Sequence, residues 1–132
     1  MFNGCYSLRI LNGVEYLGSQ TTQSDFTDIL EDVQALTGTI TIGSLLTKIG
    51  IYGASSNNLL CTGIRITNSG STFTGTSPQV NVSYTNLDAT ALNQLFTDLP
   101  TLTGKTINIT GSLGAGTCNR TIATAKNWTV IG

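Results

Sequence analysis

The chain has 132 residues and a formal net charge of −1, and only 10% of its residues are charged, against roughly 25% in ordinary soluble domains. This length supports one hydrophobic core, so a single domain over residues 1–132 is predicted. The near-zero charge without a basic cluster argues against nucleic acid as a partner, and no apolar run approaches the ~18 residues that indicate a membrane span.

A first amphipathic helix is predicted over residues 22–36, with Thr22 or Ser24 as its cap. Its apolar positions recur at steps of three and four and define one buried stripe: Phe26, Ile29, Leu30, Val33 and Leu36. The carboxylates of the other face are Asp25, Asp28, Glu31 and Asp32. Negative charge suits the first turns of a helix, so this face is interpreted as solvated rather than as a calcium or acid–base site.

A second helix repeats this pattern. It begins after Asp88 as the cap and ends before Pro100, which disfavours helical geometry at the preceding residue. Residues 22–36 and 88–102 align without a gap up to a shared Leu-Thr-Gly, and their apolar positions coincide. A helix-turn-strand unit used twice predicts stacked repeats. A third, shorter helix is predicted over residues 119–126.

Short strands with two-residue alternation are predicted around the helices. They are Leu8 to Leu11, Ile40 and Ile42, Ile49 and Ile51, Ile64 and Ile66, Val80 to Tyr84, Ile107 and Ile109, and Trp128 to Ile131. Their spacing is compatible with parallel strands joined by crossovers. The segments 54–58 and 68–78, rich in Ser, Asn, Gly and Thr, are expected to be extended or turn-like crossovers.

Residues that usually carry catalysis are scarce. The chain has no histidine, so the usual base for a serine or cysteine nucleophile is missing. Cys5, Cys61 and Cys118 are widely spaced and odd in number, which favours small buried side chains over a disulfide framework or a metal site. The glycine-rich stretch 111–118 matches no phosphate-binding motif and is interpreted as a turn into a helix. The prediction is no enzyme activity, no cofactor and no metal.

Aromatic side chains are the candidates for holding a partner, because their faces supply large contact areas at low entropic cost. The candidate binding surface comprises Tyr52, Tyr84 and Phe73. Tyr52 and Tyr84 end neighbouring predicted strands and are expected on one edge. Ordinary strand packing is the competing interpretation of all three rings.

The opening Met1-Phe2-Asn3-Gly4-Cys5-Tyr6-Ser7-Leu8 resembles the MFxGCxSL signature of BspA-like surface-antigen repeats, and residues 45–51 and 59–66 resemble the core of leucine-rich repeats. Residues 81–130 resemble the closing module of leucine-rich-like proteins of bacterial surfaces and bacteriophage virion genes. The resemblance implies a non-enzymatic adhesive or structural role. The expected fold is an α/β leucine-rich-repeat-like solenoid with a parallel sheet of about six short strands, and with two or three short helices on the other side.

The surface chemistry and the start of the chain bear on location. The sequence contains 23 Thr, 11 Ser and 11 Asn, a neutral hydrogen-bonding composition typical of secreted, cell-surface and virion proteins. The first five residues have neither the basic nor the apolar region of a secretory signal. Together with the resemblance, this predicts a bacteriophage virion module, as a tail fibre, receptor-binding tip or capsid decoration.

Such a module is expected to be oligomeric or lattice-associated and to contact other virion or surface proteins and a host glycan or receptor. The alternative is a fragment of an extracellular, bacterial cell-surface leucine-rich adhesin that binds host protein or glycan.

Overall fold

Parallel strands dominate the computed structural model, which describes residues 24–26, 37–53 and 60–132. The elements in these residues are β1 (Ser24–Phe26), β2 (Gly38–Ile42), β3 (Leu46–Gly50), β4 (Cys61–Ile66), β5 (Val80–Asn81), α1 (Ala89–Asp98), β6 (Lys105–Asn108), α2 (Thr121–Thr124) and β7 (Trp128–Ile131). One sheet has the order β1-β3-β5-β6-β7, and β2 and β4 form a second. Every strand pair is parallel. The predicted mixed α/β class with parallel strands and few helices is therefore confirmed.

Register partners on neighbouring strands of the five-stranded sheet form rows of similar side chains. Ile49, Val80 and Ile107 are successive register partners, and all three are fully buried. One residue further along, Asn81 pairs with Asn108, and both are half-buried. Because neighbouring residues of a strand point to opposite faces, the apolar row faces the core and the asparagine row faces outward.

The two-stranded sheet and α1 line the same core. The paired apolar residues of β2 and β4 are Ile40 with Ile64 and Ile42 with Ile66, and all four are buried. The buried face of α1 consists of Leu92, Leu95 and Phe96. These side chains and those of the five-stranded sheet belong to one buried cluster.

The ends of α1 are those that the sequence predicts. Asp88 has extended geometry and accepts a hydrogen bond from the backbone N–H of Ala91 at 2.8 Å. At the other end, Leu99 leaves helical geometry with ψ 136°, because Pro100 follows it. The predicted third helix is confirmed as α2, although it has only four residues. Neither helix in the described part of the chain is long and apolar enough to cross a membrane.

The prediction of a helix is wrong at residues 24–26, which form β1. Asp25 and Phe26 pair in parallel with Lys48 and Ile49 of β3. Local periodicity is a weak determinant of secondary structure, and pairing with a neighbouring strand overrides it here. The proposed equivalence of Phe26 with Leu92 therefore fails, since Leu92 lies in a helix.

Other predictions have mixed outcomes. A single sheet of about six strands is wrong, because β2 and β4 pair with each other and not with the five-stranded sheet. The 68–78 segment contains neither helix nor strand, as predicted. Residues 27–36, the 8–11 strand and the 54–58 crossover lie outside the described residues.

Candidate functional site

A groove lies between the two-stranded sheet and the first half of α1. Its volume is about 360 Å³, near the lower end of the roughly 300–1,000 Å³ of ligand pockets. The polar side chains that line it are Thr39, Thr62, Arg65, Asp88, Thr90 and Gln94. We call this feature the polar groove.

Glycine at position 63 shapes the floor of the polar groove. Gly63 of β4 is the register partner of Thr39 of β2. A Cβ atom at position 63 would lie 2.6 Å from Oγ1 of Thr39, closer than real Cβ contacts. The threonine side chain therefore lies across the space that a larger residue at position 63 would need, and Thr39 itself is exposed.

Arg65 is held in place by Asp98, at the end of α1. Nε of Arg65 donates to Oδ2 of Asp98 at 2.6 Å, and Nη2 donates to Oδ1 at 3.1 Å. The arginine side chain is 42% exposed and the aspartate side chain 8% exposed. The hydrogen bond to Asp98, followed by its charge, raises the pKa of Arg65 above the usual value. The guanidinium is cationic and oriented, and its Nη1 donates to no residue in the described part of the chain.

Two further donors reach the same carboxylate. The backbone N–H of Ile66 donates to Oδ2 of Asp98, and Nε2 of Gln94 donates to Oδ1, both at 3.1 Å. With Nε2 engaged, the Gln94 side chain has a set orientation, and its Oε1 is left as an acceptor. Asp98 thus joins β4 to α1 and positions two of the groove side chains.

Asp98→Ala is expected to lower the free energy of unfolding by about 2 kcal/mol. Most of this loss arises because the N–H of Ile66, a residue only 4% exposed, would lose its acceptor. The contribution of Arg65 is reduced by its exposure to solvent. Chemical denaturation measures the change. Gln94→Ala removes one exposed donor to the same carboxylate and should cost less than about 0.5 kcal/mol; equal losses in the two variants would contradict this account.

Asp88 contributes a carboxylate to the lining of the polar groove. Its Oδ1 caps α1 through the N–H of Ala91, and its Oδ2 accepts no hydrogen bond within the described residues. The side chain is exposed. A negative charge at a helix N-terminus is favourable, so Asp88 has a structural role in addition to its place in the groove.

The described residues bring together no familiar catalytic constellation. Asp98 is almost buried and already accepts four hydrogen bonds, so it does not form a working pair of carboxylates with Asp88. Cys61 is buried, and this burial raises its pKa to about 12, which keeps the thiol neutral and unreactive. No three His, Cys, Asp or Glu side chains are grouped as a metal site in the part of the chain described.

The three residues of the predicted aromatic surface differ in their exposure. Tyr52 and Tyr84 follow the adjacent strands β3 and β5, and both are half-buried. Tyr84 has φ 53°, and a Cβ atom at Gly111 would lie 2.5 Å from its ring, so the ring packs over that glycine. Phe73 is fully buried against Trp128. Its ring packs in the core and therefore does not belong to an accessible binding surface.

Sequence patterns indicate Asp88 only as a helix cap, and they do not indicate Arg65 or Gln94. One local signal was present. Asp98 lies in the last turn of α1, where a negative charge is unfavourable for the helix dipole, and this position calls for a cationic partner. That partner, Arg65, is 33 residues away in the sequence.

Comparisons with models of known protein families, with curated proteins and with solved structures found no match to this chain.

Proposed function

We propose that this chain is a non-catalytic structural and binding module of a bacteriophage virion, folded as a leucine-rich-repeat-like solenoid. The polar groove carries the binding part of this proposal, because it combines a fixed arginine with unengaged polar groups and lacks a catalytic arrangement among the described residues. The low charge and the many Thr, Ser and Asn residues support a surface-exposed virion location, together with the resemblance in the sequence.

The order of the elements supports the solenoid. In the described residues, each strand of the five-stranded sheet except the last is followed by one element outside that sheet, namely β2, β4, α1 and α2 in turn. The strands of that sheet start at residues 24, 46, 80, 105 and 128. Three of these four intervals lie within the roughly 20–29 residues of a leucine-rich repeat. A coil of stacked units produces this alternation.

Immunogold electron microscopy with an antibody against the full chain tests the location. Particles released from a lysed source culture are expected to carry the label at a tail, tip or capsid surface. Label on the cell envelope, with none on particles, would contradict the virion assignment and favour the cell-surface adhesin.

Light scattering coupled to size-exclusion chromatography is expected to show an oligomer, because a fibre or a decoration layer requires contacts between copies.

The non-catalytic part has its own test. Full-length protein is expected to show no turnover of glycan, ester or peptide substrates. Turnover that is reduced by Asp88→Asn would overturn the assignment, because this variant keeps the helix cap and removes the exposed carboxylate of the polar groove.

A further inference from the structure

The polar groove presents donors and acceptors whose positions are largely set. Nη1 of Arg65 is a donor, whereas Oδ2 of Asp88 and Oε1 of Gln94 are acceptors. The hydroxyls of Thr39, Thr62 and Thr90 can act as either. None of these groups is engaged by a described residue, while the other atoms of Arg65 and Gln94 are held by Asp98. Groups held in place before binding lose little conformational entropy when a ligand arrives.

The charges around the groove disfavour an anionic ligand. Oδ2 of Asp98 lies 2.6 Å from Nε of Arg65, and the negative charge of Asp98 balances the positive charge of Arg65. The carboxylate of Asp88 has no such counterpart among the described residues, so the groove has a net negative charge. Like charges at an interface cost affinity, which argues against phosphates, acidic peptides and uronic acids. The lining also contains no aromatic ring, so it lacks the aromatic anchors typical of a protein-binding hot spot.

A sugar hydroxyl both donates and accepts hydrogen bonds, and neighbouring hydroxyls on a ring use mixed sets of donors and acceptors. We propose that the polar groove binds a short stretch of a neutral saccharide. This inference rests on the proposed function and specifies the ligand of the same site. Arg65 donates to sugar oxygens, Asp88 and Gln94 accept from sugar hydroxyls, and Ala91 with the Gly63 backbone contacts the apolar face of the ring.

Binding of the full chain to immobilised neutral oligosaccharides, built from glucose, galactose, mannose or N-acetylglucosamine, tests the ligand class. Uronic-acid oligosaccharides of matched length serve as the comparison, and titration calorimetry measures affinity for each hit. At least one neutral oligosaccharide is expected to bind, with weaker binding of its acidic counterpart.

Two groove variants test the site. Thr90→Trp places an indole in the groove and is expected to weaken binding at least about tenfold. Asp88→Asn keeps an oxygen for the helix cap but replaces an acceptor with a donor, and should weaken binding about three- to tenfold. The matched control is Thr97→Trp, an exposed position on the same helix outside the groove, which should leave affinity unchanged. Thermal unfolding shows whether each variant is folded.

The outcomes separate this inference from the function on which it rests. Unchanged saccharide affinity in folded Thr90→Trp would overturn the assignment to the groove, and preference for uronic acids would overturn the neutral class. Failure to bind any saccharide, with particles still labelled by the antibody, would overturn the ligand but leave the virion module standing. Absence of both would overturn the two proposals together.

Discussion

Trp128→Ala is expected to lower the free energy of unfolding by about 3–5 kcal/mol, a large part of the total stability of a small domain. The indole is only 2% exposed. It meets the ring of Phe73 edge to face, with the centroids 5.2 Å apart, and Nε1 donates to the carbonyl of Pro100 at 2.8 Å. Truncation would therefore open a cavity, remove an aromatic pair and leave that carbonyl without its indole donor.

The measurement is urea unfolding followed by circular dichroism, since Trp128 is the only tryptophan in the chain and the variant has no indole fluorescence. Trp128→Phe keeps most of the packing and loses the hydrogen bond, so it should cost about 1–2 kcal/mol. Ile131→Ala on the same strand changes a residue that is 47% exposed and should cost about 0.5 kcal/mol or less. A loss below about 1 kcal/mol for Trp128→Ala would contradict the buried position of the indole.

Gly114→Ala is expected to destabilise the protein by about 3 kcal/mol or more. An added Cβ atom would lie 2.3 Å from the backbone N of Ala89 and 2.3 Å from the carbonyl carbon of Asp88. These are backbone atoms at the beginning of α1, so no side-chain rotation relieves the clash, and the loop and the helix must separate. The separation would also strain the 2.8 Å hydrogen bond from the N–H of Gly114 to the carbonyl of Leu87.

Gly116→Ala is the matched control for this prediction. A Cβ atom at Gly116 would meet nothing within 4 Å, and alanine restricts the unfolded chain more than glycine does, so a gain of about 0.4–1 kcal/mol is expected. Calorimetric unfolding of the two variants should therefore show shifts of opposite sign. Equal effects would show that the close approach of Gly114 to α1 does not exist in solution.

Strand positions were readily predicted in the described residues because alternation is a local property. Ile107 and Ile109 are both fully buried, while Asn108 between them is half-buried, and this two-residue pattern is visible in the sequence without knowledge of any partner strand. The ends of α1 were equally predictable, since a cap such as Asp88 and a breaker such as Pro100 act on the residues next to them.

The polar groove could not be predicted in the same way. Arg65 and Asp98 meet only because β4 and α1 pack side by side, and the threonine at position 39 comes from a third element. No local pattern relates these residues. The candidate aromatic surface was predicted from residue type alone, and there the prediction included a residue that cannot take part. Phe73 is fully buried in the core, so its ring is not accessible to a partner.

By itself, the sequence determined which short segments alternate, where α1 begins and ends, and that the chain carries little charge. These properties depend on neighbouring residues and on composition. Tertiary structure alone decided that residues 24–26 form a strand and that β2 and β4 form a sheet separate from the five-stranded one. It also decided that Arg65, Asp88 and Gln94 line the same groove. Each of these outcomes depends on hydrogen bonds or packing between distant segments, and the free energy of such contacts exceeds the small local preferences that sequence patterns report.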